Sequence, residues 1–404
     1  MKSSLDFKTA RQILLDRVET VGIEQIDLWD CPGRILAEEI IAAENVPPFD
    51  RSPYDGYAFR SVDVQHASKE TPVTLQILEE VPAGAVPTKE CVAGCATKIL
   101  TGAPIPAGAD AVTMFERTEF TAETVTIFGP AKAGENIVYA GEDVKKGAIL
   151  ASPGGRIDAG TIGTLASQGV AKPCVYKIPK IGIISTGNEV VEISEELQPG
   201  KIYNSNRYTL TAVVRELGCE PVYLGVAGDT CQGVAALLEK GLAECDGILT
   251  TGGVSVGDYD MTPAALEAIG AEILFRGVDL KPGMACAYGI KDGKLICGLS
   301  GNPASSLINF YAVAMPALRK LAGLSNPLPE EIEVTLNHGF KKKSPGTRLL
   351  RGTLDLSTGE ACMNLPKEQG NVMLNSIIGC NLMAIVPAGT GPIEPGTKLK
   401  GFLL

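Results

Sequence analysis

The pattern of apolar and polar positions predicts three kinds of region along the 404-residue chain. Apolar residues recur at three- and four-residue spacing between Phe7 and Val21, which predicts a helix over residues 6–20. Between about residues 50 and 140, short β-rich runs alternate with Gly- and Pro-rich turns. This alternation predicts a small β-domain, and β-rich texture returns after residue 326.

The region between the two β-rich parts alternates short apolar strands with helices. Strands are predicted at 181–185, 221–226, 246–250 and 295–299, and helices at 207–217, 230–244, from 262 onward and 302–321. Asp229 is the predicted N-cap of the helix over 230–244, and Thr262 and Asn302 are predicted to open the next two. Alternation of this kind predicts a parallel or mostly parallel sheet with helices on both faces.

Composition and net charge argue against several kinds of partner and site. The formal net charge is −11, which argues against nucleic acid because phosphate binding needs a basic surface. No apolar run is long enough for a transmembrane helix, and the amino terminus lacks the apolar core of a signal peptide. The eleven cysteines are scattered and there are two histidines, so a structural zinc site is not expected. A cytoplasmic protein with mostly buried thiols is the expectation.

Three polar, glycine-rich loops each follow a predicted strand of the α/β region. They are residues 186–189, 251–260 and 300–303. Ligands of an open α/β sheet bind beyond the carboxyl ends of its strands. We therefore expect the three loops to converge.

The middle loop has the sequence TGGVSVGDYD. Gly252 and Gly253 let the backbone approach a ligand and turn N–H groups toward an anion, with Ser255 pointing to the ligand. Asp258 and Asp260 stand two apart, which suits an oxygen-ligated Mg²⁺ ion. Alternatively, Asp260 only supports the following helix by its charge.

Other polar residues leave alternatives open. Glu189 follows a strand and is either a surface or a site residue, and Lys281 is either an anion ligand or part of a solvated turn. Asp55 lies in an Asp-Gly dipeptide, an ordinary turn sequence. Arg348 and Arg351 could recognise an oxyanion through two parallel hydrogen bonds.

Several motifs together resemble one family. They are TGGVSVGDYD (251–260), SGNP (300–303), SPYDGYA (52–58), LTGAPIPAGADAV (100–112) and GEDV (141–144). In this order and over essentially the whole chain they resemble the molybdopterin molybdenumtransferase (MoeA) family, whose animal relative is the E domain of gephyrin. The double-glycine loop alone also resembles the adenylyltransferase and CinA families, in which the DGYA and TGAP segments are not expected.

The resemblance implies a multidomain α/β plus β fold and an elongated homodimer. Residues 1–48 and 142–177 form a discontinuous first domain, and residues 49–141 form a β-domain inserted into it. Residues 178–326 form a three-layer α/β molybdopterin-binding domain, and residues 327–404 a β-barrel-like domain. The resemblance places the site between the α/β domain of one subunit and the inserted domain of the other.

The resemblance also implies roles for individual residues. The catalytic acidic positions are Asp55, Asp143, Glu189, Asp229 and Asp260, of which Glu189, Asp229 and Asp260 hold the metal. Substrate-binding positions are Thr101, Gly252, Gly253, Ser255, Lys281, Ser300, Asn302, Pro303 and Arg351.

The implied reaction inserts molybdate into adenylyl-molybdopterin, with Mg²⁺-dependent cleavage of the nucleotide and release of AMP. Contact with the molybdopterin adenylyltransferase is a further expectation. One alternative is an adenylyltransferase, which would need only the α/β region. Another is a divergent, non-catalytic scaffold of the gephyrin type. The motifs do not distinguish molybdate from tungstate.

This chain departs from the family pattern at three positions. Gly277 and Met284 stand where relatives often have lysine, and Ser300 stands where they have proline. We therefore expect a pocket short of positive charge, or one reorganised around Arg276, Arg348 or Arg351. Alternatively, position 277 needs glycine because its backbone adopts a positive φ.

Overall fold

The computed structural model describes residues 5–254 and 261–404. The chain divides into two compact units, and in the described ranges unit 2 comprises residues 39–152 and 159–171. Unit 1 comprises the remaining described residues, including those from 172 to the end of the chain. The finer four-part division stays a prediction.

The helices of the described ranges fall mainly in unit 1. They are α1 (Phe7–Arg17), α2 (Ala159–Ser167), α3 (Ser205–Glu216), α4 (Cys231–Glu244), α5 (Met261–Ala268), α6 (Pro303–Asn309) and α7 (Met315–Leu321). A π-helical turn, Phe310–Ala314, joins α6 to α7. The Asp6 carboxylate caps α1 by accepting from the N–H groups of Lys8 and Thr9. The helix ends at Arg17, earlier than predicted, because Val18 is extended.

A six-stranded sheet forms the centre of unit 1. Its order is Glu220–Ala227, Lys180–Thr186, Gly247–Thr251, Lys294–Leu299, Cys286–Lys291 and Glu272–Arg276. The first four strands are parallel, as predicted, and the last two are joined to the sheet by antiparallel pairings. Helices α3, α4 and α5 each contact strands of the sheet. The mostly parallel α/β architecture is therefore confirmed.

Helix α4 corrects one capping prediction. Its N-cap is Thr230, whose hydroxyl accepts from the Gly233 N–H at 3.1 Å. The prediction that Asp229 caps this helix is wrong, because the threonine one position later occupies the capping geometry. The Asp229 side chain is thereby left for other contacts.

The carboxyl-terminal strands of unit 1 close into a barrel, as predicted. They are Glu331–Leu336, Cys362–Asn364, Arg348–Asp355, Leu382–Val386 and Lys398–Leu403. Unit 1 also has the strand pairs Leu5–Asp6 with Val278–Asp279, Ile23–Gln25 with Cys174–Tyr176, and Val190–Val191 with Ile202–Tyr203. The barrel has its own core, which includes Leu336, Leu350 and Met363.

Unit 2 contains the predicted β-domain. Its sheet has the order Ala111–Met114, Gly56–Phe59, Cys95–Ile99, Val73–Val81, Thr124–Ile127 and Thr118–Phe120. Ile40–Ile41 pairs separately with Ile149–Ala151. Tyr57, Phe59 and Leu75 are buried in the core of this sheet. Among the described residues of both units, no helix combines the length and apolar character needed to span a membrane.

Candidate active site

A cavity of about 880 Å³ lies at the carboxyl edge of the parallel strands in unit 1. All three predicted loops contribute to its lining, through residues 186–187 and 189, residues 251–254 and residues 300–303. Their convergence is confirmed within the described part of the chain. It follows from the parallel direction of the strands, which brings their carboxyl ends to one edge.

Two carboxylates, Glu189 and Asp229, line one side of the cavity. The Asp229 Oδ2 atom accepts from the Asn188 N–H at 3.0 Å, and Lys201 Nζ donates to the Asn188 carbonyl at 2.6 Å. These bonds fix the backbone next to Glu189, which is itself exposed. We call residues 187–192 the Glu189 wall.

The Glu189 wall is supported by a charged network around Glu192. The Glu192 carboxylate accepts from Arg207 Nη1 at 2.5 Å, from Tyr223 Oη at 2.7 Å and from Asn204 Nδ2 at 3.1 Å. Burial alone would raise the pKa of Glu192, but these hydrogen bonds outweigh it and hold the pKa below its usual range. The Arg207 guanidinium also lies 3.7 Å from the centroid of the Tyr223 ring. The network keeps Glu192 ionised beside the cavity.

The double-glycine loop is tightly built into its surroundings. Gly252 has φ +95°, and a Cβ atom there would lie 2.3 Å from the Thr186 hydroxyl, so only glycine fits. Its N–H donates to the Leu299 carbonyl at 2.9 Å, and its carbonyl accepts from the Thr262 hydroxyl at 3.0 Å. The expectation that the Gly252 N–H turns toward an anion is therefore wrong. Gly253 lines the cavity beside it.

Part of the predicted loop lies outside the described residues. Ser255, Asp258 and Asp260 belong to this part, as does Val256. Val254, the last described residue before it, is buried in the core between the sheet and α4 and α5.

The third loop contributes Ser300, Asn302 and Pro303. The Ser300 hydroxyl accepts from the Asn302 N–H at 3.2 Å, and Asn302 is the N-cap residue of α6. Asn206 Nδ2 donates to the Gly301 carbonyl at 2.8 Å and also lines the cavity. The loop is thus held to the start of α3, and Pro303 takes the first turn of α6, as predicted.

Lys281 brings positive charge to the cavity beside strand Cys286–Lys291, which lies three places in the sheet order from Lys180–Thr186, the strand before Glu189. It lies in the segment 280–285, all of which lines the cavity and which we call the Lys281 wall. Met284, at a position where relatives often have lysine, is 53% exposed there. Gly277 has φ +73°, which favours the alternative that this position needs glycine for its backbone angle. Arg276 is exposed on its strand and does not line the cavity.

The structure does not bring Arg348 or Arg351 into the cavity lining. Arg348 Nε donates to the Ser344 hydroxyl at 3.0 Å, and its guanidinium lies over the Phe340 ring. Arg351 is fully buried and donates to the Ser376 hydroxyl and to the Gly370 carbonyl. Burial lowers the pKa of both arginines. Arg351 thus holds the segment just before Asn371, which does line the cavity.

Several lining residues were missed by the sequence analysis. Asn204 is the N-cap of α3, and its Oδ1 accepts from the Ser185 hydroxyl at 3.0 Å. The Asn-Ser-Asn sequence before a helix, beyond a parallel strand, is a signal that could have identified it. Asn371 and Val372 come from the barrel, and no local pattern indicates that they reach this edge of the sheet.

The remaining predicted site residues lie in unit 2. The Asp55 carboxylate accepts from the N–H and the hydroxyl of Thr101, each at 2.7 Å. These two bonds, the backbone one first, lower the pKa of Asp55. Asp143 is exposed, and its N–H donates to the Val46 carbonyl at 3.0 Å. Asp55 and Thr101 therefore form one polar group, although they are 46 positions apart.

Metal ligands were expected from Glu189, Asp229 and Asp260. Across residues 5–254 and 261–404, no cluster of three or more His, Cys, Asp or Glu side chains could hold a metal ion. Glu189 and Asp229 face the same cavity and are of the type that Mg²⁺ prefers, and Asp260 lies outside the described residues.

Comparison with known proteins decides the family. Residues 5–169 match the family model described as MoeA N-terminal region (domain I and II), and residues 182–320 match the model described as "Probable molybdopterin binding domain". The molybdopterin molybdenumtransferase of Staphylococcus epidermidis is 38% identical over 97% of this chain and 94% of its own. The chain belongs to the molybdopterin molybdenumtransferase (MoeA) family. The Bacillus subtilis member is also 38% identical, over 94% of this chain and 90% of its own.

Solved structures agree with this assignment. A molybdopterin biosynthesis MoeA protein from Pyrococcus horikoshii is 31% identical, with a TM-score of 0.85 and full coverage of both chains. A molybdenum cofactor biosynthesis protein from Pyrococcus furiosus, 19% identical with a TM-score of 0.61, shares the fold. This MoeA-family protein is therefore a transferase of molybdenum cofactor biosynthesis with a molybdopterin-binding domain.

Proposed function

We propose that this transferase inserts molybdate into adenylyl-molybdopterin and releases AMP in a Mg²⁺-dependent reaction. The observation that carries the proposal is the cavity of about 880 Å³, which is lined by two carboxylates beyond the first two strands of the sheet order and by a lysine beside the fifth. A cavity of this size suits a pterin nucleotide, since ligand pockets commonly measure about 300–1,000 Å³. Carboxylates and a lysine in separate parts of one cavity suit a metal ion beside the carboxylates and an oxyanion beside the lysine.

In this proposal the walls have separate tasks. Glu189 and Asp229, with Asp260, would hold Mg²⁺, which would polarise the phosphoanhydride. Lys281 attracts the molybdate anion, and Ser300, Asn302 and Pro303 contact the pterin substrate together with Gly252, Gly253 and Ser255. Arg351 acts indirectly, by holding the Gly370 carbonyl and the Ser376 hydroxyl, because its guanidinium is fully buried.

We further propose that the protein works as a cytoplasmic homodimer. Asp55, Thr101 and Asp143 of unit 2 would then complete the site of the other subunit. Support comes from the Asp55 carboxylate, which Thr101 keeps ionised and fixed in direction. Adenylyl-molybdopterin would be received from the adenylyltransferase by direct contact.

The test of the reaction uses purified protein with adenylyl-molybdopterin, Mg²⁺ and either molybdate or tungstate. We expect AMP release and formation of the molybdenum cofactor, and neither when Mg²⁺ is chelated. The proposal fails if the protein releases no AMP with either oxyanion. It also fails if the protein instead makes adenylyl-molybdopterin from ATP and molybdopterin.

The homodimer proposal has its own test, by subunit exchange. Asp55→Asn and Asp229→Asn proteins are each expected to be inactive. Mixing them should restore activity at about a quarter to half of the sites, since exchange produces heterodimers with one intact site. Proven exchange without restored activity would contradict the composite site.

A further inference from the structure

The Lys281 wall is fixed to its surroundings on two sides by backbone hydrogen bonds. At its base, the Gly277 N–H donates to the Cys286 carbonyl at 2.9 Å, and the Val278 N–H donates to the Met284 carbonyl at 3.1 Å. On the barrel side, the Lys281 N–H donates to the Thr347 carbonyl at 2.9 Å. None of these bonds involves the carbonyl of Gly283, near the tip of the segment.

That carbonyl is held by the side chain of Asn309, the last residue of α6. Asn309 Nδ2 donates to the Gly283 carbonyl at 2.7 Å. The Oδ1 atom of the same amide accepts from the Tyr288 hydroxyl at 2.5 Å, which fixes the orientation of the amide. Asn309 and Tyr288 are both fully buried. A buried polar group without a partner destabilises the folded protein, so the two bonds are expected to form and break together.

The approach of α6 to the wall is unusually close. A Cβ atom on Gly283 would lie 3.3 Å from the Cβ of Asn309, and Gly283 has φ +108°. Tyr288 stacks on Phe275 with ring centroids 4.9 Å apart, which locks its hydroxyl in place. The same helix supplies Pro303 and Ser305 to the cavity lining. One rigid helix therefore touches the cavity at its start and holds the Lys281 wall at its end.

We propose that Asn309, oriented by Tyr288, is a positioning residue that fixes the Gly283 carbonyl and thereby the place of Lys281 in the cavity. Tyr288 belongs to a hydrophobic core cluster, as do the neighbours of Asn309 in the chain, Ile308 and Phe310. A leucine at 309 would therefore leave the buried Tyr288 hydroxyl and the Gly283 carbonyl without this partner. The amide therefore stabilises the core and also fixes the location of one wall. The consequence for catalysis rests on the proposed function, in which Lys281 attracts the oxyanion.

The first experiment asks only whether Asn309 holds the wall. Hydrogen exchange is measured on the full-length protein for peptides covering residues 277–286. Asn309→Leu should speed exchange there about tenfold, the usual effect of losing one buried hydrogen bond. Ser306→Ala is the matched control, since among the described residues the buried Ser306 hydroxyl has no hydrogen-bond partner. Equal exchange in all three proteins would overturn the positioning role.

The second experiment asks whether the effect reaches the oxyanion through Lys281. Asn309→Leu should raise the molybdate concentration for half-maximal AMP release about tenfold, with the maximal rate changed far less. In the Lys281→Ala background, Asn309→Leu should add no further increase, because the residue acts through Lys281. Two increases that multiply would show a merely structural effect and overturn the inference. If Lys281→Ala alone changes nothing, the proposed function fails at that residue, and hydrogen exchange still decides the positioning role.

Tyr288→Phe provides a second variant in case Asn309→Leu does not fold. It keeps the ring stacked on Phe275 and removes only the hydroxyl that orients the amide. Exchange in residues 277–286 and half-saturating molybdate should both rise, by about threefold, roughly half the free energy of a full hydrogen bond. No change in either quantity would contradict the proposal.

Discussion

The two walls of the cavity are held in place by different chemistry. The Lys281 wall depends on neutral, fully buried groups, Asn309 and Tyr288, and on backbone hydrogen bonds. The Glu189 wall depends on the ion pair of Glu192 with Arg207, whose side chains are 22% and 29% exposed. Ion pairs near solvent respond to pH and salt, whereas buried neutral hydrogen bonds do not. We therefore expect changes of pH and salt to affect the Glu189 wall and to leave the Lys281 wall unchanged.

The largest effect is expected from the carboxylates of the acidic side. Asp229→Asn should slow AMP release about a hundredfold or more, because loss of a metal ligand removes roughly 3 kcal/mol of charge stabilisation. The amide keeps an oxygen that can accept from the Asn188 N–H, so binding of the pterin should change little. Glu239→Gln, at an exposed position on α4, is the matched control. Equal losses of pterin affinity and rate would indicate a structural role for Asp229.

The next effect concerns Gly277, at the base of the Lys281 wall. Its φ of +73° predicts that Gly277→Ala destabilises the protein by about 1–2 kcal/mol, although the nearest atom to an added Cβ is 3.7 Å away. Gly277→Lys should be destabilised similarly and should not improve molybdate use. Urea unfolding measures this, with Gly391→Ala as a control in open space without a positive φ. A stable Gly277→Lys protein that needs less molybdate would favour a missing lysine instead.

A smaller effect is expected from Glu192→Gln. The folded-state pKa of Glu192 is lowered, so its stabilisation is present above the unfolded pKa of about 4.3 and is lost as pH falls through the folded value. The groups facing it are Arg207, Tyr223, Asn204 and, more distantly, Tyr208. At pH 7 the variant should be less stable by about 1–2 kcal/mol. This difference should shrink only as the pH falls below about 4.3 and through the lower folded pKa, and a pH-independent difference would contradict the charged network.

The smallest expected effect is a difference between the two walls in how their contributions to stability depend on salt. Raising NaCl from about 0.05 M to about 0.5 M should reduce the stability difference between wild type and Glu192→Gln by a few tenths of a kcal/mol. The difference for Asn309→Leu should stay constant, because burial raises the pKa of Tyr288 well above its usual value and keeps the pair neutral. The same salt response at both positions would remove the contrast between the walls.

Much of the architecture could be predicted from the sequence. The parallel strands are continuous apolar runs, and parallel strands place their following loops at one edge, so the cavity could be located before any contact was known. The strands Cys286–Lys291 and Glu272–Arg276 were missed. The Asp292-Gly293 dipeptide, which joins Lys291 to Lys294 in a two-residue hairpin, is a signal that could have identified the first of them. Glu272–Arg276 is a short apolar run, which gives no clear signal by itself.

The details of the site were less predictable, for physical reasons. Asp229 and Thr230 are both good caps, and only the backbone angles at residue 230 select the threonine. A motif shows that Arg351 is present but not that its guanidinium is buried on Ser376. The bond from Asn309 to Gly283 spans 26 positions and joins a helix end to a loop, so no local periodicity reveals it.

In the proposed function, molybdate meets the pterin between the Glu189 wall and the Lys281 wall. This placement is tested most directly by anomalous diffraction at the molybdenum absorption edge, on crystals of the Asp229→Asn protein with adenylyl-molybdopterin and molybdate. We expect a molybdenum peak inside the cavity beside Lys281, with the pterin along Ser300 and Asn302. A molybdenum peak and ordered pterin elsewhere, with the cavity holding only solvent, would contradict this placement.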